Sequence, residues 1–224
     1  MSRGVLVVGG SSPIGQAIVD VFKDDVVHAV SLPDDVSTAS GASSAVQDVM
    51  ELAGRLDVVV LAAAYMPVAR VTDTTDEQWQ QALNATLGTA FAVSRAALPV
   101  MAAGGAIVAV SSVNATLAAP SLPAYATAKA GLEGLVRQLA LDYGPRGIRV
   151  NAVAPGLIGP TSHPDAAAGY PLGRVGTPGE VAHAVKFLAE ATFVTGAVLA
   201  VDGGLSIASP AAFLRDDLLR RWQS

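Results

Sequence analysis

Short runs of β-branched and aliphatic residues punctuate the chain at Val5 to Val8, Val26 to Leu32, Val58 to Leu61, Ala106 to Val110, Ile148 to Val153 and Ala197 to Val201. Each run is apolar throughout instead of alternating with polar residues, as strands buried on both faces are. Between them lie stretches with helical spacing: Ile14 to Phe22, Ser44 to Leu52, Asp76 to Met101, Ala124 to Tyr143 and Pro178 to Glu190. Strands alternating with helices predict βαβ units. The expected fold is therefore α/β, a single doubly wound parallel sheet of six to seven strands with helices on both faces. A sheet of that kind binds ligands at the carboxyl ends of its strands, where the strand order reverses.

Residues 1–206 read as this one domain and 207–224 as a C-terminal extension. In the extension Leu214, Leu218 and Trp222 are spaced by four and form one apolar helical stripe. That helix docks on its own subunit, docks on a neighbour's, or lies on the surface. The helices 76–101 and 124–143 carry Ala, Leu and Val on more than one side, which suits either deep core or core plus interface.

Composition narrows the function. Of 224 residues, 51% are hydrophobic and only 15% charged, which excludes a disordered chain. The net charge of −5 and the lack of a Lys/Arg run argue against a nucleic-acid partner. The absence of cysteine excludes disulfides, thiolate metal sites and thiol catalysis. His28, His163 and His183 show no metal-ligand spacing, so no metal is expected. The first apolar run is too short for a signal peptide or a membrane span, which fits a cytoplasmic protein away from membranes.

Two motifs carry chemistry. The first is the turn Gly9-Gly10-Ser11-Ser12-Pro13-Ile14-Gly15 between the first strand and the first helix. Gly9 allows a tight turn and Gly15 a close approach of helix to sheet. Amides around Ser11, Ser12 and Ile14 would face a pyrophosphate, whose charge the helix dipole favours. Ser12 suits the N-cap and Pro13 the first helical position, although Pro13 offers no N–H donor. The second is Tyr125-Ala-Thr-Ala-Lys129, whose spacing of four puts phenol and ammonium on one helix face. A lysine cation stabilises a phenolate, so the pair reads as a proton-transfer unit with a lowered tyrosine pKa. Ser112 stands thirteen residues before Tyr125, just past a strand, where its hydroxyl could bond a substrate oxygen.

These motifs, with Arg149-Val-Asn-Ala-Val-Ala-Pro155-Gly156, Gly173-Arg-Val-Gly-Thr-Pro-Gly-Glu180-Val, Thr195-Gly196 and Val201-Asp202-Gly203-Gly204, occur in the order found in short-chain dehydrogenases/reductases. The chain resembles that family over residues 4 to 206, most closely its 3-oxoacyl-carrier-protein reductases. The resemblance implies a Rossmann-type fold and hydride transfer between NAD or NADP and a carbonyl or secondary alcohol carbon. It makes Tyr125 the general acid in reduction and the base in oxidation. Lys129 would lower its pKa and hold the nicotinamide ribose, and Ser112 would hold the substrate oxygen. Pro155, Gly156 and the Ile158 backbone would wall the nicotinamide. It also implies a homo-oligomer, a dimer or tetramer, built on the two long helices.

Four segments depart from the family pattern. Pro13 replaces the middle glycine of the turn. Ala62, Ala63 and Ala64, after Leu61, replace Asn-Ala-Gly of an Asn-Asn-Ala-Gly motif at the adenosine side. Counting seven on from Trp79 puts Thr86 where the family has a catalytic Asn, with Asn84 on a different face. A water held by the Thr86 hydroxyl would replace the Asn relay. The second strand is followed at once by Leu32-Pro-Asp-Asp-Val-Ser37, so the usual second helix and third strand are missing. Asp35 and Val36 resemble the short motif that touches adenine. Ser31 falls where an acid would select NAD and a nearby arginine NADP. No Lys or Arg lies between Asp24 and Glu51, while Asp34 and Asp35 are close, so the segment favours NAD.

The lid position, Gly159 to Leu172, is short and carries Ser162, His163 and Tyr170; Met66, Pro67 and Val68 border the same region. The leading expectation is an oxidoreductase acting on a small carbonyl or alcohol substrate. The alternatives are a nucleotide-binding or scaffold protein that lost turnover, and a non-redox reaction with Tyr125 as base.

Overall fold

The computed structural model describes residues 2–31, 35–209 and 211–223. Six parallel strands form one sheet: β1 (Gly4–Val8), β2 (Val26–Val30), β3 (Val58–Leu61), β4 (Ala106–Val110), β5 (Arg149–Pro155) and β6 (Val198–Val201), in the order β2-β1-β3-β4-β5-β6. Because successive residues of a strand face opposite ways, each strand feeds two cores. Val5 and Val7 of β1 join Val58, Val60, Val108 and Val153 under α1 (Pro13–Val21) and α6 (Pro178–Glu190). Leu6 and Val8 join Val59, Ile107, Ala109 and Val150 under α2 (Ala39–Ala53), α4 (Thr89–Ala97) and α5 (Pro123–Tyr143). The sheet is doubly wound, with helices on both faces.

The chain leaves β1 for β2 on one side and returns through α2 to β3 on the other. The order reverses between β1 and β3, and sheets of this kind form their ligand crevice at the carboxyl ends of such strands. No second helix and third strand intervene between β2 and α2. The sheet therefore has six strands, and β2 lies at its edge. Among the described residues no helix is long and apolar enough to cross a membrane.

Several expected elements are corrected by their surroundings. The uniformly apolar runs predict burial on both faces, which holds for β1, β3 and β4. The edge strands differ: Ala29 of β2 and Val198 to Ala200 of β6 are exposed, because each strand has a neighbouring strand on one side only among the described residues. The single helix expected over 76–101 is three pieces. α3 (Asp76–Leu83) runs into a π-helical turn at Asn84–Gly88, and α4 ends at Ala97. Leu98 caps that end still in helical conformation, and Pro99 after it has no N–H to continue the ladder. The helix expected from Ser44 begins at Ala39, where Thr38 caps it by accepting the Gly41 amide. After β6, α7 (Ala211–Leu214) and α8 (Asp216–Gln223) form the C-terminal extension. Leu214 is exposed in it, and the Trp222 side chain lies outside the described residues.

Candidate active site

The glycine turn sits in the crevice with every expected constraint visible. Gly9 has φ +91°, and a Cβ there would strike the backbone of Ala62 and Ala63 at 2.7 Å. Ala62 is tied in turn to β1 through its amide and the Val8 carbonyl, 2.8 Å. A Cβ on Gly15 would collide with the Gly9 carbonyl. These clashes leave β1, α1 and the segment after β3 in contact through backbone alone. The Ser12 hydroxyl accepts the Gly15 amide at 3.0 Å, and the Gln16 amide donates to the Ser12 carbonyl. Pro13 has no N–H, so among the described residues Ile14 holds the unbonded amide of this first turn. The turn fits a pyrophosphate oxygen at Ile14.

The far wall of the crevice is closed on itself. Ser11 donates its amide to the Ser31 hydroxyl at 2.8 Å, and that hydroxyl donates to the Val30 carbonyl. Ser31 thus braces the glycine turn at the end of β2. The Asp35 carboxylate accepts the Ser37 amide at 3.1 Å and the Ser37 hydroxyl, while Thr38 bonds its carbonyl. Val36 is buried beneath them. Asp34 lies outside the described residues. Ala63 is half-buried and Ala64 exposed at the same mouth.

Ser112, Tyr125 and Lys129 meet past the end of β4. Ser112 leaves the strand in extended conformation and caps a 3₁₀ turn at Val113–Ala115, accepting the Asn114 amide at 3.2 Å. Tyr125 stands in the first turn of α5, which begins with Pro123. The Ser112 hydroxyl lies near enough to the Tyr125 phenol to favour its ionised form. Lys129 is 2% exposed; its Nζ donates to the Val110 carbonyl at 2.6 Å and lies 5.6 Å from the centre of the Tyr125 ring. Burial pulls this ammonium down to about 8. Burial also pushes the Tyr125 phenol above its ordinary value, and the nearby Ser112 hydroxyl opposes that only in part. The expected lowering of the tyrosine by lysine is thus corrected. The ammonium faces the ring and the Val110 carbonyl, and desolvation of the phenolate dominates.

Thr86 lies in the π-helical turn, 2% exposed, and its hydroxyl has no hydrogen-bond partner. Asn84 is exposed and accepts the Gln80 side chain at 3.0 Å. The interior position therefore falls to Thr86, as the count from Trp79 expects. α5 presses on this turn at Gly131, where a Cβ would meet Leu87 at 2.9 Å.

On the other side of Tyr125, Pro155 ends β5 opposite Val201, and the Gly156 amide bonds the Val201 carbonyl at 3.1 Å. Leu157 and Gly159 make backbone bonds to Gly176, so the intervening Ile158 peptide groups are turned away from Gly176. Tyr170 is a buried wedge rather than a free lid residue. Its hydroxyl accepts the Leu157 amide at 2.7 Å, and a Cβ on Gly156 would strike it at 2.9 Å. Asp202 holds the turn behind this wall by accepting the Gly204 and Ser206 amides. Burial alone would raise the Asp202 carboxyl, but these donors keep it below its usual value. His163 is on the exposed lid, its Nδ1 accepting the Asp165 amide at 3.3 Å.

Comparison with known proteins agrees with this geometry. A family model described as enoyl-(acyl carrier protein) reductase matches residues 7–206. An uncharacterized oxidoreductase of Schizosaccharomyces pombe is 36% identical over 93% of this chain and 92% of its own length. A 3-oxoacyl-[acyl-carrier-protein] reductase of Chlamydia muridarum is 35% identical over 87% and 77%. The ligand-free aldohexose dehydrogenase of Thermoplasma acidophilum superposes with a TM-score of 0.86 at 31% identity, covering 93% of this chain and 96% of that one. The chain belongs to the short-chain dehydrogenase/reductase family.

As a short-chain dehydrogenase/reductase it is an oxidoreductase. The sequence reading misses two features of its site. One is Tyr170 as a brace under Gly156; only the fold brings the two together. The other is a buried carboxylate, Glu133, bonded to Ser111 at 2.7 Å behind Lys129. Its signal was present: Glu133 continues the spacing of four from Tyr125 and Lys129, on a helix face whose neighbours are apolar.

Proposed function

We propose that this protein transfers hydride between a nicotinamide dinucleotide and the carbonyl or secondary alcohol carbon of a small substrate, with Tyr125 as general acid and base. The observation that carries the reading is the buried Lys129, held by the Val110 carbonyl at 2.6 Å and 5.6 Å from the Tyr125 ring centre, with Ser112 beside the same phenol at the carboxyl end of β4. The residues fit a dinucleotide: Gly9 and Gly15 admit backbone approach, Ile14 offers an amide, and the Ile158 peptide groups are not spent on Gly176. A bound nicotinamide supplies or accepts the hydride. In reduction, the Tyr125 hydroxyl gives its proton to the substrate oxygen as negative charge builds there, while the Ser112 hydroxyl donates a second hydrogen bond. In oxidation, Tyr125 takes the proton back. The raised phenol suits the acid role, since it keeps its proton until the substrate oxygen needs it. Lys129, held by the Val110 carbonyl, binds the nicotinamide ribose. Thr86 fills the position of the missing Asn, with its free hydroxyl turned to the interior.

The absence of Lys or Arg from Asp24 to Glu51 and the neutral Ser31 support NAD over NADP. The resemblance to 3-oxoacyl reductases supports a 3-oxo substrate, and the groove between α4 and α5 supports a homo-oligomer. A reading without turnover draws on the Ala62 to Ala64 segment and Thr86. The Tyr125→Phe variant separates the two. It is expected to bind cofactor as the wild type does and to lose about 10³-fold in kcat. Steady-state kinetics beside calorimetry checks this, and unchanged turnover would remove Tyr125 from the reaction.

A further inference from the structure

Glu133 is a buried carboxylate that the proposed reaction does not use. It is 5% exposed and stands eight residues after Tyr125 and four after Lys129, on the same face of α5. Its helix neighbours Leu132 and Val136 are core residues. A carboxylate at such a position is costly unless hydrogen-bonded, and an apolar side chain would fill the space without that cost. Its bond is specific: Oε1 accepts the Ser111 hydroxyl at 2.7 Å.

Ser111 is also buried, at 3%, and its amide donates to the Val153 carbonyl of β5 at 2.7 Å. It is therefore pinned twice, by the backbone of β5 and by the side chain of α5. Its two chain neighbours carry the site. Val110 offers the carbonyl that holds Lys129 at 2.6 Å, and Ser112 stands beside the Tyr125 phenol. Any rotation of the Ser111 peptides would move both.

We propose that Glu133 is a positioning residue: by holding Ser111 it fixes the end of β4, and with it the Val110 carbonyl under Lys129 and the Ser112 hydroxyl at Tyr125. Glu133 touches none of the reacting atoms and acts through Ser111. The proposal rests on the reading of Tyr125, Ser112 and Lys129 as the reacting group.

The test uses the full chain as wild type, E133Q, E133L, S111A and the E133L/S111A double variant. The ¹³Cζ resonance of Tyr125, assigned by its loss in Tyr125→Phe, reports the phenol's surroundings without turnover. E133L and S111A should shift it alike, the double variant no further, and E133Q should return it toward wild type because its amide oxygen still accepts Ser111. Reduction of ethyl 3-oxobutanoate with NADH should show a kcat loss of about tenfold in E133L and S111A, with KM for NADH unchanged and E133Q within about twofold of wild type. If E133L does not fold, S111A, which removes only a hydroxyl, carries the same comparison. An unmoved Tyr125 resonance in folded S111A overturns the proposal, as does a double variant whose shift is the sum of the singles. A wild type inert toward carbonyls whose resonance moves as described would sink the oxidoreductase mechanism and leave the positioning role standing.

Discussion

At the residue scale, the site keeps groups that the fold alone would reject. A buried lysine with one carbonyl partner is costly. A fall from 10.5 to about 8 corresponds to about 3 kcal/mol against the charged form. Folded Lys129 gives up its proton before unfolded lysine does. The cost is therefore complete below pH 8, shrinks as pH rises, and vanishes above about 10.5. Lys129→Met should be inactive yet more stable than wild type at pH 7, by up to about 3 kcal/mol. Urea unfolding at pH 7 and pH 9.5 checks it; a gap that does not narrow at the higher pH refutes the assignment to Lys129. Thr86 poses a similar conflict, since its buried hydroxyl has no partner. Thr86→Val removes that orphan and should stabilise the protein by about 1 kcal/mol. If the hydroxyl serves the reaction, the same variant loses about tenfold in kcat. Unchanged kcat in a stabilised variant would mean that Thr86 only packs.

At the element scale, the glycine turn and α5 were legible because local chemistry fixes them. Ser12 followed by Pro13 is a helix start in any context, and Tyr125 and Lys129 share a face in any helix. The π-helical turn at Asn84–Gly88 was not legible, since its period differs from a helix by one residue and α5 packs against it. α4 and α5 also enclose a groove of about 320 Å³ lined by Phe91, Leu98, Pro99, Leu135, Leu139 and Tyr143. Phe91 there is 51% exposed, with Arg95 5.1 Å from its ring centre. A face of this kind suits a second copy of the chain. Phe91→Asp should lower the mass found by light scattering to that of a smaller species. A wild type that is already monomeric would end the oligomer reading.

At the scale of the whole molecule, the missing second crossover makes β2 an edge strand and leaves the adenosine side of the crevice to Ser31, Asp35 and Val36. A 2′-phosphate there would stand near Asp35, and the sequence from Asp24 to Glu51 holds no Lys or Arg. NADH should therefore bind at least about tenfold tighter than NADPH in a calorimetric titration at moderate salt. Equal affinities would show that a basic group reaches the site from elsewhere in the fold. The strand–helix alternation, the glycine turn and the Tyr125–Lys129 pair were determined by the sequence itself, because period, capping and side-chain spacing are local properties. The exposure of β2 and β6, the brace of Tyr170 under Gly156, the Ser31–Ser11 bond and the pinning of Ser111 by Glu133 were decided only by the tertiary structure. Each depends on which segments meet across the sheet, and segments 13 to 22 residues or more apart in the chain come together only when the core between them is packed.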